Sequence, residues 1–369
     1  MPVSEDKDVS ADRLVLTAFT LYPEKSEKEI SELLSMPRST LATVKKRLLV
    51  GGLYRRCYLP VYPMLNIEHM AVVYSDFNPA VSAKKRINNT KKSVEIFDEI
   101  VLSLGETHRG LSISFSTDYT TLSEIYDRRL KVLARLNLLE IEQPWQIVFP
   151  LRRSKIYRFF NFGPLLAEGF HDIFPEKDAR RLDKLFRGSE RELEKKAPAE
   201  ELSEREKMVM MALVRYPEHS LLQLSSLLGY SRPTVSRIRE RLLESGYIHP
   251  YVIPNIPLLG YNILTLYHVY VNPKRPLDER WEILDGAMDG GTVFMAAKPF
   301  EIIILGVYRN YREFNRSKSS LNRYLKKKDL IVKVPDVRNH SLGETIWIKY
   351  FVFHEILPKA LKTERPLWL

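Results

Sequence analysis

Residues Tyr216–Tyr261 read "YPEHSLLQLSSLLGYSRPTVSRIRERLLESGYIHPYVIPNIPLLGY", and residues 22–66 read "YPEKSEKEISELLSMPRSTLATVKKRLLVGGLYRRCYLPVYPMLN". A constant offset of 194 residues aligns the two stretches without a gap, from Tyr22 on Tyr216 to Pro79 on Pro273. Two copies are fewer than the three or so repeats that a solenoid needs to bury a continuous core. The offset therefore predicts a tandem duplication of one larger unit.

Each copy begins with apolar residues at helical spacing, followed by an alternating stretch. In the second copy the spacing predicts helices over Met208–Tyr216, Leu221–Leu228 and about Pro233–Glu244, with Ser231 as N-cap and Gly246 as the residue that ends the third helix. In the first copy it predicts helices over Ser26–Leu34 and about Ser39–Val50. The stretches "YIHPYVI" and "LYRRCYL" are predicted to form wings. Two helices joined by a turn of about four residues, then a strand pair, form a winged helix-turn-helix.

The third helix of each copy divides into an apolar stripe and a polar face. Val235, Ile238 and Leu242 form the stripe in the second copy, and Leu41, Val44 and Leu48 form it in the first. The polar faces carry side chains that hydrogen-bond base edges and phosphates. They also fit a solvated surface or a protein-binding module. We predict contact with double-stranded DNA by Arg38, Ser39, Thr40, Thr43, Lys45, Lys46, Arg55, Arg56, Ser231, Arg232, Thr234, Ser236, Arg237, Arg239 and His249.

The second part of each copy alternates strand and helix patterns. In the second copy strands are predicted at 262–271, 291–297, 301–308 and 329–337, and helices at 277–288 and 311–328, with a further strand-like run at 344–353. The first copy has related segments at 69–77, 94–104, 107–116, 121–136 and 138–149, in a less regular order, and then 155–162. The order βαββαβ is ferredoxin-like. We predict an α+β chain with winged helices at 10–62 and 203–256, ferredoxin-like domains at 66–163 and 261–357, and a charged helical linker at 164–202.

Residues Leu242–Tyr261 resemble the Lrp/AsnC (feast/famine) regulators where the recognition helix passes through the wing to the effector domain. The family usually has an arginine four residues before the helix-ending leucine, whereas this chain has Ile238. The resemblance implies a transcription regulator, archaeal or bacterial, whose effector domains pair sheet against sheet and bind small-molecule effectors. It implies either an intramolecular pseudo-dimer of the two copies or a homodimer.

The composition of the chain is compatible with a nucleic-acid partner. The chain has 369 residues and a formal charge of +11, which favours a polyanion partner or an excess of surface lysine. Cys57 is the only cysteine, there is no long apolar run, and the N-terminus has no signal-peptide core. These features predict a cytoplasmic protein that is not in a membrane.

Residues for catalysis are scattered. The eight histidines form no HExxH motif, and no GxGxxG, GKS/T or GxSxG pattern is present. We predict no metal, no cofactor and no enzymatic activity. An alternative is a siroheme decarboxylase, because those enzymes resemble paired Lrp-like chains and have a similar feature where His108 and Arg109 precede a strand. Their tryptophan-containing strand motif is missing, and the second copy has Ala296-Ala297-Lys298 there. A third alternative is a protein-binding adaptor that exposes the aromatic runs 155–162 and 346–354.

Overall fold

The computed structural model describes residues 5–106, 108–139, 143–186, 201–278 and 280–368. These residues form two compact units that each combine segments of both copies. Unit 1 takes its described residues from Met1–Tyr58, Lys155–Gly188 and His249–Asn339. Unit 2 takes its described residues from Leu59–Ser154, Ser189–Ile248 and His340–Leu369. Each unit thus groups the first helices of one copy with the ferredoxin-like domain of the other.

The first helical module lies in unit 1 and consists of α1 (Glu5–Leu21), α2 (Glu27–Leu33) and α3 (Arg38–Val50). Ser26 and Glu29 form a capping box that satisfies backbone N–H groups at the start of α2. The apolar stripe of α3 is buried in a cluster with α1, as its spacing predicted.

The second helical module lies in unit 2 and consists of α8 (Glu204–Arg215), α9 (Leu221–Leu228) and α10 (Arg232–Glu244). Serine side chains cap all three helices, and Ser231 caps α10 as predicted. Gly246 follows α10 with a φ of 74°, the left-handed conformation that glycine adopts easily. Ile238 is a buried residue of the apolar stripe.

One strand follows each third helix. These strands, β1 (Tyr54–Pro60) and β7 (Ile248–Pro254), pair with each other in a two-stranded sheet. The prediction of a separate strand pair in each copy is therefore corrected. At one end of the ladder the Asn255 N–H donates to the Leu53 carbonyl, and at the other end the Val61 N–H donates to the Tyr247 carbonyl. Backbone N–H and C=O groups of a buried strand need hydrogen-bond partners, and here a strand from each copy supplies partners for the other.

The ferredoxin-like domain of the first copy lies in unit 2. Its sheet has the order β12-β3-β4-β2-β5, and the helices α4 and α5 connect its strands. Strands β2 to β5 follow the ferredoxin-like pattern, and β12 pairs with β3 at the edge of the sheet. The bounds are β2 His69–Asp76, α4 Ala83–Glu95, β3 Ile100–Gly105, β4 Arg109–Ser116, α5 Tyr119–Arg135, β5 Trp145–Pro150 and β12 Ile346–Lys349.

The ferredoxin-like domain of the second copy lies in unit 1 and has the corresponding sheet order, β11-β8-β10-β9-β6. Its edge strand β6 comes from the first copy and pairs with β9. The two sheets therefore exchange edge strands. The bounds are β6 Lys155–Arg158, β8 Ile263–Tyr270, β9 Thr292–Lys298, β10 Glu301–Tyr308, α11 Tyr311–Lys327 and β11 Asp336–Ser341.

The structure differs from the predicted second domain between β8 and β9. A helix was predicted over 277–288, but only a 3-10 helix forms, over Trp281–Ala287. The Trp281 carbonyl accepts a hydrogen bond from the Tyr157 hydroxyl, and the Ile283 carbonyl accepts one from the Tyr324 hydroxyl. These tertiary hydrogen bonds use carbonyls that an α-helix would use internally, so tertiary contacts override the local pattern.

Two further elements differ from the prediction. The strand predicted at 329–337 forms only from Asp336 onwards, preceded by an isolated bridge between Val271 and Ile331. In the first copy, α4 covers residues for most of which no element is predicted, because the sequence "AKKRINNTKKSVE" carries few apolar residues; the predicted segment 94–104 overlaps only its last two residues.

The predicted linker 164–202 is in part an integral element of unit 1. It forms α6 (Gly163–Ala167), α7 (Glu176–Ala179) and a 3-10 helix over Arg181–Leu185. The Thr17 hydroxyl donates to the Leu166 carbonyl, and the Tyr22 hydroxyl donates to Asp178. Residues 166–179 of this segment thus pack against α1, and residues 187–200 lie outside the described residues.

A buried ion pair fastens this segment to the sheet. Arg158 Nε lies 3.2 Å from Asp183 Oδ2, and both side chains are almost completely buried. Arg158 also donates to the carbonyls of Asp289 and Thr292, and Asn161 donates to Asp183. Since each charged group has several partners, the cost of burying this pair is compensated.

The remaining short elements are 3-10 helices at Tyr62–Met64 and Pro257–Leu259 and the helix α12 (Leu357–Ala360). In the part of the chain that the structure describes, no helix has the length and apolarity needed to cross a membrane.

Candidate functional site

The predicted DNA-contacting residues of the first copy lie on α3 and β1 in unit 1. Arg38, Ser39, Thr40, Thr43 and Lys46 are exposed, and Lys45 is half-buried. The Thr43 hydroxyl donates to the Ser39 carbonyl, and Lys45 pairs with Glu27 of α2. Arg38 and Lys46 make no side-chain contact with the described residues, so both cations are available to a ligand.

The corresponding residues of the second copy lie on α10 in unit 2. Arg232 and Arg237 are exposed and have no side-chain partner in the described part of the chain. The Ser231 side chain caps the helix and meets the Thr234 hydroxyl, and the Ser236 hydroxyl donates to Glu240. Arg239 is half-buried. Serine groups that were predicted to contact DNA thus already have intramolecular partners.

The three residues predicted to contact DNA from the wings lie in different environments. Arg55 is exposed on β1, whereas the Arg56 guanidinium lies 5.6 Å from the centre of the Phe19 ring. His249 lies on β7 in unit 1 and is half-buried. The structure therefore does not place His249 in the same unit as α10.

The same ion pair holds the third helix to the first in both copies. Arg47 of α3 donates to Asp12 of α1, and Arg241 of α10 lies 2.7 Å from Glu206 of α8. These positions differ by the same offset of 194 residues, so the two ion pairs occupy equivalent positions of the two aligned stretches. It fixes the orientation of α3 and of α10 within their own units.

The ferredoxin-like domains can be compared position by position. Strands β4 and β10 have eight residues each, and helices α5 and α11 have seventeen each, with the same offset of 192 residues between them. The strand registers agree, because Ser103 faces Ser112 in one sheet and Met295 faces Ile304 in the other. Equivalent positions of the two interiors can therefore be identified.

The interior of the second copy is an apolar core. Met295, Ile302, Ile304 and Leu321 are buried together beneath α11. Large aliphatic side chains in such a layer fill the space between helix and sheet and stabilise the domain. This interior has a structural role.

The interior of the first copy differs at the same positions. Ser103, Gly110, Ser112 and Arg129 occupy the positions of Met295, Ile302, Ile304 and Leu321. Two of the buried apolar clusters in this domain are small, one around Phe97 and one around Phe77. Small and polar side chains thus replace the centre of the core.

Arg129 of α5 is the first cationic group on this side of the sheet; the residue is half-buried, and its Nε atom is enclosed. Its guanidinium donates to the Ser112 hydroxyl at 3.0 Å, and its Nε is buried without a hydrogen-bond partner among the described residues. Burial lowers the pKa of Arg129 to about 10, while the nearby Tyr126 opposes this effect. Arg129 nevertheless remains charged at neutral pH.

Arg86 of α4 is the second cationic group of this domain. Its side chain is 3% exposed, and burial alone lowers its pKa. It donates to the Asn78 carbonyl at 3.1 Å and lies 3.5 Å from His108 Nδ1, while its Nε has no partner in the described part of the chain. His108 itself is exposed, so Arg86 connects the interior with the surface.

No carboxylate pairs with Arg86 or Arg129 within the described residues. A buried charge without a counter-ion costs several kcal/mol. Arg109, next to His108, does pair with Asp76, at 3.7 Å. We call these two pairs, Arg86 with His108 and Arg129 with Ser112, the cationic site of this domain. Their chemistry suits an anion such as a carboxylate, which arginine binds through two N–H groups.

Sequence reasoning identified His108 but missed Arg86 and Arg129. Arg129 interrupts the apolar stripe of α5 between Ile125 and Leu133, and the alternating serines of "GLSISFS" contrast with "IIILGVY" in the second copy. A comparison of the two copies would have revealed both signals.

The aromatic runs and the metal-ligating residue types remain to be placed. The aromatic runs predicted for an adaptor are largely interior, since Phe159, Phe160, Phe351 and Phe353 are buried. Among the described residues, no three His, Cys, Asp or Glu side chains are arranged to hold a metal ion.

Comparison with known proteins gives structural matches only. No protein-family model matches the sequence, and no curated protein is significantly similar to it. The siroheme decarboxylase NirDL, alone and in complex with an iron-uroporphyrin III analogue, matches over 91% of this chain and 92% of its own, with 11% identity and a TM-score of 0.48. The ASNC-family regulator PF0864 from Pyrococcus furiosus matches over 38% of this chain and 87% of its own, with 16% identity and a TM-score of 0.28.

The chain combines helices and antiparallel sheets in an α+β fold, as predicted. At these identities the likeness concerns the fold alone. The prediction that the chain is not an enzyme is contradicted, because the structures that match it over 91% of its length are enzymes. That prediction is withdrawn.

Proposed function

We propose that the protein is an enzyme that binds a polycarboxylate substrate at the cationic site and removes carboxyl groups from it as CO2. One observation carries the proposal: Arg86 and Arg129 are guanidinium groups in the interior of unit 2 whose Nε atoms have no partner in the described residues. Substrate carboxylates would supply the missing acceptors. A carboxylated tetrapyrrole, the substrate class in the name siroheme decarboxylase, is the proposed substrate.

The chemistry assigns separate roles to the residues. In decarboxylation the bond between a carbon and its carboxylate breaks, CO2 leaves, and the electron pair left on carbon takes up a proton. Arg86 and Arg129 would hold substrate carboxylates that do not react, since a bound guanidinium stabilises the charge that a reacting carboxylate must lose. His108, exposed beside Arg86, is the proposed proton donor.

Binding can be tested with iron-uroporphyrin III and the purified full chain, followed by the absorbance of the porphyrin. Arg86→Met and Arg129→Leu should each weaken binding about 10- to 150-fold, because each removes charged hydrogen bonds worth about 1.5–3 kcal/mol. Arg128→Gln is the matched control, since Arg128 is an exposed neighbour on α5 that pairs with Glu124. Equal affinity of all four proteins would contradict the proposed site.

Activity needs a separate measurement. Siroheme incubated with the full chain should lose the mass of CO2, detected by mass spectrometry, and His108→Ala should slow this loss more than it weakens binding. If porphyrin binds at the cationic site but no mass is lost, the site is a ligand site without the proposed reaction.

We propose DNA binding by α3 and α10 as a second function. It is supported by Arg38 and Lys46 on one helix and Arg232 and Arg237 on the other, which are exposed and have no partner in the part of the chain described. Footprinting on genomic fragments would report binding, site length and symmetry together. Arg237→Ala should cost about 1–3 kcal/mol of affinity if it reads a base; unchanged binding would remove it from the interface. Regulation of transcription, with or without an effector, would follow only from such a footprint.

We also propose that the two copies replace the two chains of a dimer. The exchanged edge strands β6 and β12 support this arrangement. Sedimentation at micromolar concentration should then give the mass of one chain, and a mass of two chains would favour a homodimer.

A further inference from the structure

The outer face of α11 in unit 1 is strongly cationic. Five basic residues follow one another at helical spacing, so they form a stripe about 100° wide and roughly 22 Å long on the side opposite the buried Phe314 and Leu321. All five are exposed. We call this the α11 stripe; its residues are Arg312, Arg316, Arg323, Lys326 and Lys327.

The stripe is not neutralised within the described residues. None of its five side chains forms an ion pair, a hydrogen bond or a ring contact there. Glu313, the acidic residue of the first turn, is directed to Arg309 on the neighbouring strand end. Polar side chains without charge, including Asn315 and Ser319, lie between the cations and are exposed.

The equivalent face of α5 in the first copy is not a cationic stripe. Thr120, Glu124 and Ala134 occupy the positions of Arg312, Arg316 and Lys326, and Asp127 occupies that of Ser319. Glu124 pairs with Arg128 on the same face. A solvated helix of this fold therefore does not require five unpaired cations, and the difference between the copies needs another cause.

We infer that the α11 stripe binds the phosphate backbone of duplex nucleic acid without reading its sequence. Over roughly 22 Å, one strand of a duplex presents about six phosphates, which suits five cations at helical spacing. Arginine, lysine, serine and asparagine side chains are those that usually contact phosphates. This inference does not rest on the decarboxylase proposal, and it concerns a surface other than α3 and α10.

The chemistry of the face favours nucleic acid over a membrane surface. A helix that inserts into a bilayer surface needs an exposed apolar face, whereas the apolar side chains of α11 are buried against the sheet. Tyr311 is the exposed large apolar residue of this helix, and it lies at the first position. Electrostatic attraction to a polyanion therefore remains as the driving force.

The test measures binding of the full chain to a random-sequence duplex of about 30 base pairs by fluorescence anisotropy at several salt concentrations. The slope of log affinity against log salt falls by about 0.9 for each lost phosphate contact. Replacing Arg316, Arg323 and Lys327 by Gln should reduce the slope by up to about 2.7 and weaken binding at least 10-fold at about 100 mM salt. Thermal unfolding would establish that the variant is folded.

The control removes the same charge from α5. Arg128, Lys131 and Arg135 are exposed there, and their replacement by Gln should change the slope by less than about 0.5, because that face is mixed in charge. Equal effects of the two triple variants, or no effect of the first, would overturn the inference. It would also be overturned if the stripe variant lost binding to phosphatidylserine vesicles while it kept its affinity for the duplex.

The winged helices give an independent comparison. Arg38→Ala combined with Arg237→Ala should reduce discrimination between a footprinted site and random duplex, and should leave the stripe-dependent part of the slope unchanged. If the variant lost the stripe-dependent part of the salt slope, the phosphate contacts would belong to the winged helices and not to α11, which would contradict the inference.

Discussion

Arg129 and Leu321 occupy one position of a duplicated fold and have opposite effects on it. Arg129 brings a charge into the interior of unit 2, where its Nε lacks a partner, whereas Leu321 contributes to the apolar core of unit 1. Replacement of a buried charge by an apolar residue of similar size is often neutral or stabilising. The cationic site should therefore reduce the stability of the domain that carries it.

Exchanging the two residue types tests this difference. Arg129→Leu should leave the free energy of unfolding unchanged or raise it by about 1–2 kcal/mol, because a desolvated charge is removed. Leu321→Arg should lower it by about 3–5 kcal/mol, because it places an unpaired charge in an apolar core. Urea denaturation followed by circular dichroism measures both. A large loss of stability in Arg129→Leu would show that the arginine is structural.

Glu301 should make unit 1 sensitive to acid. Hydrogen bonds from His268 and then from Lys298 lower the pKa of this carboxyl from 4.5 to about 2, against the effect of burial. A lowered pKa stabilises the fold above pH 4.5, and the contribution is lost as the pH falls towards 2. Glu301→Gln should therefore cost about 1–3 kcal/mol at pH 7 and less at pH 3.

The measurement is the unfolding free energy of wild type and variant at each pH. Glu344→Gln is the control, because Glu344 is exposed and its side chain makes no contact with the described residues. A cost that stays constant between pH 7 and pH 3 would contradict the assignment.

At the residue scale, the sequence predicted exposed groups better than buried ones. Arg38 and Arg237 lie opposite an apolar stripe, and helical spacing places them on the surface. Arg86 and Arg129 were missed because a charge on an amphipathic helix is normally solvated. Only the neighbouring strand, with its small side chains, shows that these helices bury their arginines.

At the element scale, local signals determined most helix bounds. Helix α9 has the predicted bounds, and its start depends on a capping box between Ser220 and Gln223, two residues that are close in the sequence. The 3-10 helix Trp281–Ala287 was mispredicted, because its form depends on hydrogen bonds from Tyr157 and Tyr324, which are far away in the sequence. Sequence patterns show local capping interactions, but they do not show hydrogen bonds between residues that are far apart in the sequence.

The turn after α3 provides a prediction at this scale. Gly52 has a φ of 65°, and a Cβ atom there would meet no other atom within 4 Å. Gly52→Ala should therefore cost about 1 kcal/mol through backbone strain alone. Chemical denaturation measures this cost, and Gly343→Ala serves as the control, because Gly343 has open space around it and no positive φ. Equal stability of the two variants would show that the turn is not strained.

At the scale of the whole molecule, the sequence shows that two stretches align at a constant offset, but it does not show the exchange of strands. The segments containing β6 and β12 were recognised as strand-like, and their composition fits an edge strand of either sheet. Backbone hydrogen bonds form the pairing, and they do not depend on side-chain identity. The assignment of each strand to the sheet of the other copy therefore does not follow from the sequence.

The exchange predicts how the isolated copies behave. Fragments 1–200 and 201–369 each contain parts of both units, so neither can complete a unit alone. Each fragment alone should unfold without a cooperative transition, and a mixture at micromolar concentration should regain the near-ultraviolet circular dichroism of the whole chain. A cooperative transition in one isolated fragment would contradict this expectation.

The edge strands also determine when the protein can fold during its synthesis. Strand β6 ends at Arg158, and its partner β9 begins at Thr292, so 134 residues separate the two on the ribosome. At about 5–20 residues per second, the nascent chain spends roughly 7–27 s with this sheet edge unpaired. Strand β3 is left unpaired at its outer edge even longer, because it ends at Gly105 and its partner β12 begins only at Ile346. Chaperones that cover nascent strands should therefore affect the yield of this protein more than that of a protein whose domains are completed in sequence order.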